Sequence, residues 1–367
     1  MTVPARVPWW QTDLGDAEVA AVTRAIRERH VHHGPLCREF EAALQTHLEL
    51  PHVATTTSGS VALLLALLAC GVGPGDEVVV PALTFIAPAH AALLLGARVR
   101  LVDVAADRPL LDVAALDAAV SDRTRAIVVV HLDGRAADVA GARRVAARVG
   151  ARVVEDCAQA FGSGGPHGRL GGEGDVAAFS LGITKLITTG EGGFVATRDP
   201  ELHDRIVRLR NHGVHAIADN VFPAFGSNFR MTDMQAAVGL AQLGRFAEKA
   251  AGVRRVYAFY ERHLAALPWA ELLEVRTAAG ELPLWSEALF PQRDAVLAEL
   301  RGRGVETKAF HPCLAESPHL RAEGAFPNAT RFARSGLVLP SGPDQTDANL
   351  EATVAALRAT GAALGLG

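Results

Sequence analysis

Between residues 51 and 197 the chain alternates short β-branched runs with Ala- and Leu-rich stretches of helical spacing, a pattern that few folds accommodate. The runs lie at 77–80, 98–102, 126–131, 152–155, 176–180 and 193–197, and each stops at polar residues or glycine. Strands buried on both faces read this way, so the spacing predicts an α/β core, a mostly parallel sheet flanked by helices. The helices fall at 60–70, 88–95, 113–120 and 138–149, with Gly71, Gly96 and Gly150 as C-terminal stops.

The pattern then changes. A long helix, with room for an interruption, is expected over 232–264, followed by a strand at 283–289, a helix at 292–303, a strand at 305–307 and a closing helix at 347–358. This divides the chain into a large α/β domain, 1–245 with the N-terminal segment, and a smaller α+β domain, 246–367. A chain of 367 residues, 49% of them hydrophobic, is long enough for both.

Charge and cysteine usage exclude several functions. The net charge of -4 is spread without long like-charge blocks, so nucleic acid is not an expected partner. Cys37, Cys70, Cys157 and Cys313 form no CxxC pair, which fits a reducing cytoplasm and no structural zinc. The first eleven residues lack the charged-then-apolar order of an export signal. The apolar segments 61–72 and 88–97 fall short of the roughly 18 residues that span a membrane. His30, His32 and His33 have no acidic partner at ligand spacing, so no metal site is expected. Cys313 reads as a packed thiol, and Trp9, Trp10, Trp269 and Trp285 as core or interface anchors, with one of the first pair available to an acceptor site.

Three segments carry chemistry. In Ala151-Arg-Val-Val-Glu-Asp-Cys-Ala-Gln-Ala160 a buried strand delivers Asp156 to its C-terminal end, where open α/β sheets bind ligands. A carboxylate there can hold a pyridinium nitrogen protonated, and it can equally cap a helix. Phe179-Ser-Leu-Gly-Ile-Thr-Lys-Leu-Ile-Thr-Thr-Gly-Glu-Gly-Gly193 presents Lys185 before a glycine-rich turn, as an imine-forming nucleophile or as a solvated charge. Thr55-Thr-Thr-Ser-Gly-Ser-Val61 opens a helix and offers a phosphate cradle or a plain serine cap. Their co-occurrence in this order favours the chemical reading.

Taken with His33-Gly-Pro-Leu-Cys-Arg-Glu-Phe-Glu41, Pro81-Ala-Leu-Thr-Phe-Ile-Ala87, Arg210-Asn-His-Gly213 and Gly226-Ser-Asn-Phe-Arg-Met231, these segments resemble the DegT/DnrJ/StrS family of pyridoxal 5′-phosphate (PLP) aminotransferases nearly end to end. The resemblance implies PLP-dependent transferase fold type I. It implies ping-pong transfer of an amino group from glutamate or glutamine, through pyridoxamine 5′-phosphate, to a keto-sugar, with a nucleotide-linked one favoured over a keto-cyclitol. It makes Lys185 the Schiff-base and proton-shuttling residue and pairs Asp156 with the pyridine nitrogen. Gln159 would reach the ring hydroxyl and Phe85 stack on the ring. Ser180 and the Gly59-Ser60-Val61 backbone would hold the phosphate. Asn228 would reach the cofactor of a neighbouring subunit, which implies a homodimer with shared sites. Asp133 and Gly182 stand where the family pattern usually has Tyr and His. A PLP-dependent dehydratase or lyase, and a regulatory binding protein without turnover, are the rival readings; the full set of Lys185, Asp156, Gln159 and Ser180 argues against the second.

Overall fold

A computed structural model describes residues 6–217, 221–320 and 322–366. Two helices, α1 (Asp16–Arg27) and α2 (Pro35–Leu48), precede the main sheet. The chain then runs through β1 (His52–Thr56), α3 (Gly59–Ala69), β2 (Glu77–Pro81), α4 (Ala87–Leu94), β3 (Arg98–Val102), α5 (Val113–Ala119), β4 (Thr124–Val130), α6 (Val139–Val149) and β5 (Arg152–Asp156). A small hairpin, β6 (Gly164–Gly165) and β7 (Gly168–Arg169), leads to β8 (Val176–Ser180), β9 (Gly193–Thr197) and α7 (Pro200–Arg210). After α8 (Asp233–Gly244) and α9 (Phe246–Leu264) come β10 (Glu271–Leu272), β11 (Ser286–Leu289), α10 (Arg293–Gly302), β12 (Lys308–Ala309), α11 (Pro327–Ser335), β13 (Gly336–Leu339) and α12 (Asp347–Leu364).

Seven strands form the main sheet in the order β1-β9-β8-β5-β4-β2-β3. Pairing is parallel from β8 through β5, β4 and β2 to β3, and antiparallel only where β9 joins β8 and β1. The valine runs explain the layering. Val78, Val79, Val80, Ile127, Val128, Val129, Val153 and Val154 are all buried because helices cover both faces. Helix α3 packs on β8 and β9 with Leu63, Leu65 and Leu67 fully enclosed. Each such leucine contributes about 1.5–3 kcal/mol of burial free energy.

The second sheet, β10-β11-β13-β12, is antiparallel throughout. Its apolar side chains Ala288, Leu337 and Leu339 pack with Tyr260 and Leu264 of α9, Val296 of α10 and Val354 of α12. Two expectations change here. The strand expected at 305–307 begins three residues later, at Lys308–Ala309, because Val305 forms a single bridge to Val7 of the N-terminal segment instead. The strand expected at 283–289 begins only at Ser286. The long helix breaks at Arg245, whose guanidinium bonds Asp13 and Glu248.

Two buried ion pairs tie the sheets together. Arg135, fully enclosed after β4, donates to Glu287 of β11 at 2.7 Å and to the carbonyls of Leu273 and Glu274. Arg108 meets Glu281 at 2.8 Å, and the same carboxylate accepts from the Ala136 and Arg276 N–H groups. Between these pairs the chain turns tightly at Asp133 and Gly134, both at positive φ. A Cβ on Gly134 would stand 1.7 Å from the Leu282 carbonyl oxygen, so only glycine lets the two units approach there.

Candidate active site

The parallel strands of the main sheet open their C-terminal ends onto one cavity of 330 Å³. Asp156 ends β5 and Ser180 ends β8, while Ser58, Thr84 and Phe85 follow β1 and β2, and all five line it. Trp285, Lys308 and His311 close it from the side of the second sheet. This is where ligands of open α/β sheets bind, because side chains from several strand ends converge there.

Lys185 reaches the cavity from a turn in which its N–H donates to the Gly182 carbonyl at 3.0 Å. The threonine and glycine run that follows holds this turn. The Thr188 hydroxyl and Thr189 N–H both donate to the Leu181 carbonyl, and Leu181 N–H donates to Gly192. From outside, the Trp10 indole N–H and the Thr12 hydroxyl donate to the Ile183 carbonyl. The lysine is thus pinned on both sides by backbone contacts. Burial pushes its pKa down to about 8, against the pull of Asp156 and Asp133, and Lys308 pushes the same way as burial. A lowered pKa makes the neutral, nucleophilic amine accessible.

Asp156 is buried and accepts the Ala158 N–H at 2.9 Å. Burial pushes its pKa up, opposed by that hydrogen bond and by the charges of Lys185 and His131. Next to it Gln159 is fixed in orientation. Its Oε1 accepts from the Asp133 N–H at 3.1 Å, so Nε2 is the donor to His311 Nε2 at 3.2 Å. The His311 proton therefore sits on Nδ1, and burial pushes its pKa down to about 4, which keeps the ring neutral.

The cradle on the other side is the start of α3. Ser58 caps the helix, its Oγ accepting the Val61 N–H at 3.2 Å. The Gly59 and Ser60 N–H groups have no acceptor within the helix and stand at its positive end. A Cβ on Gly59 would lie 2.6 Å from the Ser180 Cβ, and one on Gly193 would lie 2.6 Å from the Gly59 nitrogen. Glycine at both positions lets the helix end close on the strand end.

Of the residues singled out from the sequence, Gly59, Ser60, Phe85, Asp156, Gln159, Ser180 and Lys185 line this one cavity. Phe85 is 56% exposed at its mouth, edge-on to His311. Val61 differs from its neighbours: its N–H is already committed to Ser58. Asn228 is exposed and bridged to Asn211, and does not line the cavity of its own chain. Cys313 is buried in the main core and Trp269 packs on Phe290. His33 is bonded to the Met231 carbonyl. His131, Glu155 and Cys157 do cluster, but His131 and Glu155 are occupied with each other and with N–H groups of Ala137, Gly171, Glu173 and Gly174.

Lys308 belongs to no motif of the sequence, and Trp285 reads there only as an anchor. Trp285 is an anchor, yet its face also fronts the cavity, 5.5 Å from Lys185 Nζ. No spacing rule reaches these residues, which come to the site from the second sheet.

Residues 12–358 match the DegT/DnrJ/EryC1/StrS aminotransferase family. The chain belongs to that family. It is similar to the GDP-perosamine synthase of Caulobacter vibrioides, 38% identical over 87% of this chain and 88% of the relative. The dTDP-3-amino-3,4,6-trideoxy-alpha-D-glucose transaminase of Streptomyces venezuelae is 37% identical over 88% and 86%. The crystal structure of S. venezuelae DesV in complex with a ketimine intermediate superposes with a TM-score of 0.90 at 34% identity, over 97% of this chain and 98% of that one. The protein is accordingly a PLP-dependent aminotransferase of fold type I. The residues present suit that cofactor. Free N–H donors at a helix start match a phosphate, a buried carboxylate with one N–H partner matches a ring nitrogen, and a lysine of lowered pKa matches an aldehyde carbon.

Proposed function

We propose that the protein transfers an amino group from glutamate or glutamine to the ketone of a nucleotide-linked sugar, in amino-sugar or antibiotic biosynthesis. The observation that carries this reading is that Lys185, Asp156 and the start of α3 line the same cavity. The GDP- and dTDP-linked sugars in the relatives' names support a nucleotide-linked acceptor over a keto-cyclitol.

PLP, when bound, supplies the electron sink that lets a C–H bond next to nitrogen ionise. Lys185 would hold the cofactor covalently and, once released by the incoming amine, act as the base that moves the proton from the substrate carbon. Its lowered pKa suits both tasks. Asp156 would keep the ring nitrogen protonated, Gln159 would donate to the ring hydroxyl, and Phe85 would cover the ring face. Ser180 with the Gly59 and Ser60 N–H groups would bind the phosphate, with Val61 contributing to the first turn that carries them.

The working unit is proposed to be a homodimer in the cytoplasm. Asn228 is exposed and lies beside a run of exposed apolar side chains, Val221, Phe222 and Phe225 at 55–71% exposure, as a surface built to be covered would be. Asn228 would then serve the partner's cofactor.

The test is spectroscopic. Purified protein loaded with PLP should show the near-visible band of a lysine-bound cofactor, Lys185→Ala should lack it, and glutamate or glutamine should bleach it in the wild type. A band retained in Lys185→Ala, or a wild-type band that no amino donor bleaches, would refute the proposal.

A further inference from the structure

Lys308 is the second lysine of the cavity, and it forms no ion pair among the described residues. Its Nζ lies 5.0 Å from the ring centroid of Trp285 and 5.3 Å from that of Trp9, and the two rings meet edge-on at 5.9 Å. Aromatic faces attract a cation through their quadrupole but carry no net charge, so they seat the ammonium without cancelling it. Among the described residues the one lysine ion pair is Lys249 with Asp13, neither of which lines the cavity.

The seat is built rather than incidental. Trp9 is held by its own carbonyl, which accepts the Ser341 N–H, and by backbone bonds joining Val7 to Gly304 and Glu306. The Gln345 amide donates to the carbonyl of Pro8. Trp285 leads directly into β11 and is only 3% exposed. The other charged groups that line the cavity form no ion pair with Lys308. Asp156 is enclosed at the end of β5, Glu191 is exposed and forms no ion pair among the described residues, His311 is neutral, and Lys185 is committed to the chemistry. Lys308 thus presents a full positive charge to the same space that receives the reactants.

We propose that Lys308 is a specificity-determining residue that binds an anionic group of a reactant, either a carboxylate of the amino donor or a phosphate of the nucleotide-linked acceptor. The inference rests on the aminotransfer reading above for what those reactants are. Glutamate and a nucleoside diphosphate share oxyanion chemistry, and an ammonium fixed over two tryptophans matches either as a point charge.

The test uses PLP-loaded wild type, Lys308→Met and Lys308→Arg in calorimetric titrations. Glutarate, a dicarboxylate without an amine, stands for the donor; GDP and dTDP stand for the acceptor's nucleotide. Methionine keeps a flexible apolar stem against both tryptophans and removes the charge. Lys308→Met should bind one probe class roughly tenfold or more weakly, the loss expected when a charged hydrogen bond disappears. Lys308→Arg should retain most of the affinity. Added salt should weaken wild-type binding more steeply than that of Lys308→Met. Loss confined to glutarate assigns the charge to the donor, and loss confined to GDP and dTDP assigns it to the acceptor. Equal binding of both classes by wild type and Lys308→Met, or no binding of either by wild type, would overturn the inference. Bleaching of the wild-type band by glutamate is a separate readout: bleaching with unchanged probe binding sinks Lys308 alone, and altered binding without bleaching sinks the donor chemistry alone.

Discussion

The most demanding prediction concerns the titration of Lys185 in protein stripped of its cofactor. Its pKa is pushed down to about 8 from an ordinary 10.5, chiefly by burial. At pH 7 about one molecule in eleven then carries the neutral amine, against about one in three thousand for an unperturbed lysine, roughly a 300-fold gain in nucleophile. Labelling with acetic anhydride across a pH series, read at the Lys185 peptide by mass spectrometry, should give a half-maximal rate near pH 8. The charges facing the amine fix the signs of two variants. Asp156 and Asp133 raise the pKa and Lys308 lowers it. Asp156→Asn should therefore move the midpoint down, and Lys308→Met should move it up. A midpoint at or above pH 10, or two shifts of the same sign, would refute the electrostatic reasoning.

Three further outcomes follow from the packing. Arg135→Met should destabilise the fold by about 3–5 kcal/mol in urea unfolding, because it leaves the Glu287 carboxylate enclosed without its partner; adding Glu287→Gln should recover part of the loss, and strict additivity of the two changes would contradict the pairing. Glu155 is held below the usual 4.5: burial works to raise its pKa, and the bonds from His131, Gly171 and Gly174 overcome this. Its contribution is present above about pH 4.5 and is lost as pH falls through the lowered folded-state value, so Glu155→Gln should be less stable at pH 7 with a flatter acid limb, and parallel acid limbs would contradict the assignment. Gly59→Ala should weaken cofactor binding more than it lowers the unfolding midpoint, since the added methyl meets Ser180 at the mouth of the cradle; unchanged loading by PLP would argue against a phosphate seat there.

What the sequence made legible was whatever depends on neighbours along the chain. The strands ending in Asp156 and Ser180, the helix opening at Gly59 and the turn presenting Lys185 are each set by a run of a few residues. Helices α1, α2 and α7 carry apolar residues at helical spacing and went unread beside the stronger signals of the sheet. Strand β1 hid inside the threonine run that reads as a phosphate loop. Lys308, His311 and Trp285 were beyond reach for another reason. They arrive from a second sheet whose placement depends on Arg135 meeting Glu287 and Arg108 meeting Glu281, contacts more than 150 residues apart in sequence. Asp133 was visible as a departure from the family pattern, but its enclosure and its backbone bond to Gln159 follow only from the turn at positive φ.

The chain has three lysines, Lys185, Lys249 and Lys308. Lys249 is buried against Asp13, whereas Lys185 and Lys308 share the cavity. Borohydride reduction of the PLP-loaded protein, followed by peptide mass spectrometry, fixes the cofactor to whichever amine holds it. The account predicts a single modified peptide, containing Lys185. Modification at Lys308 instead would contradict it.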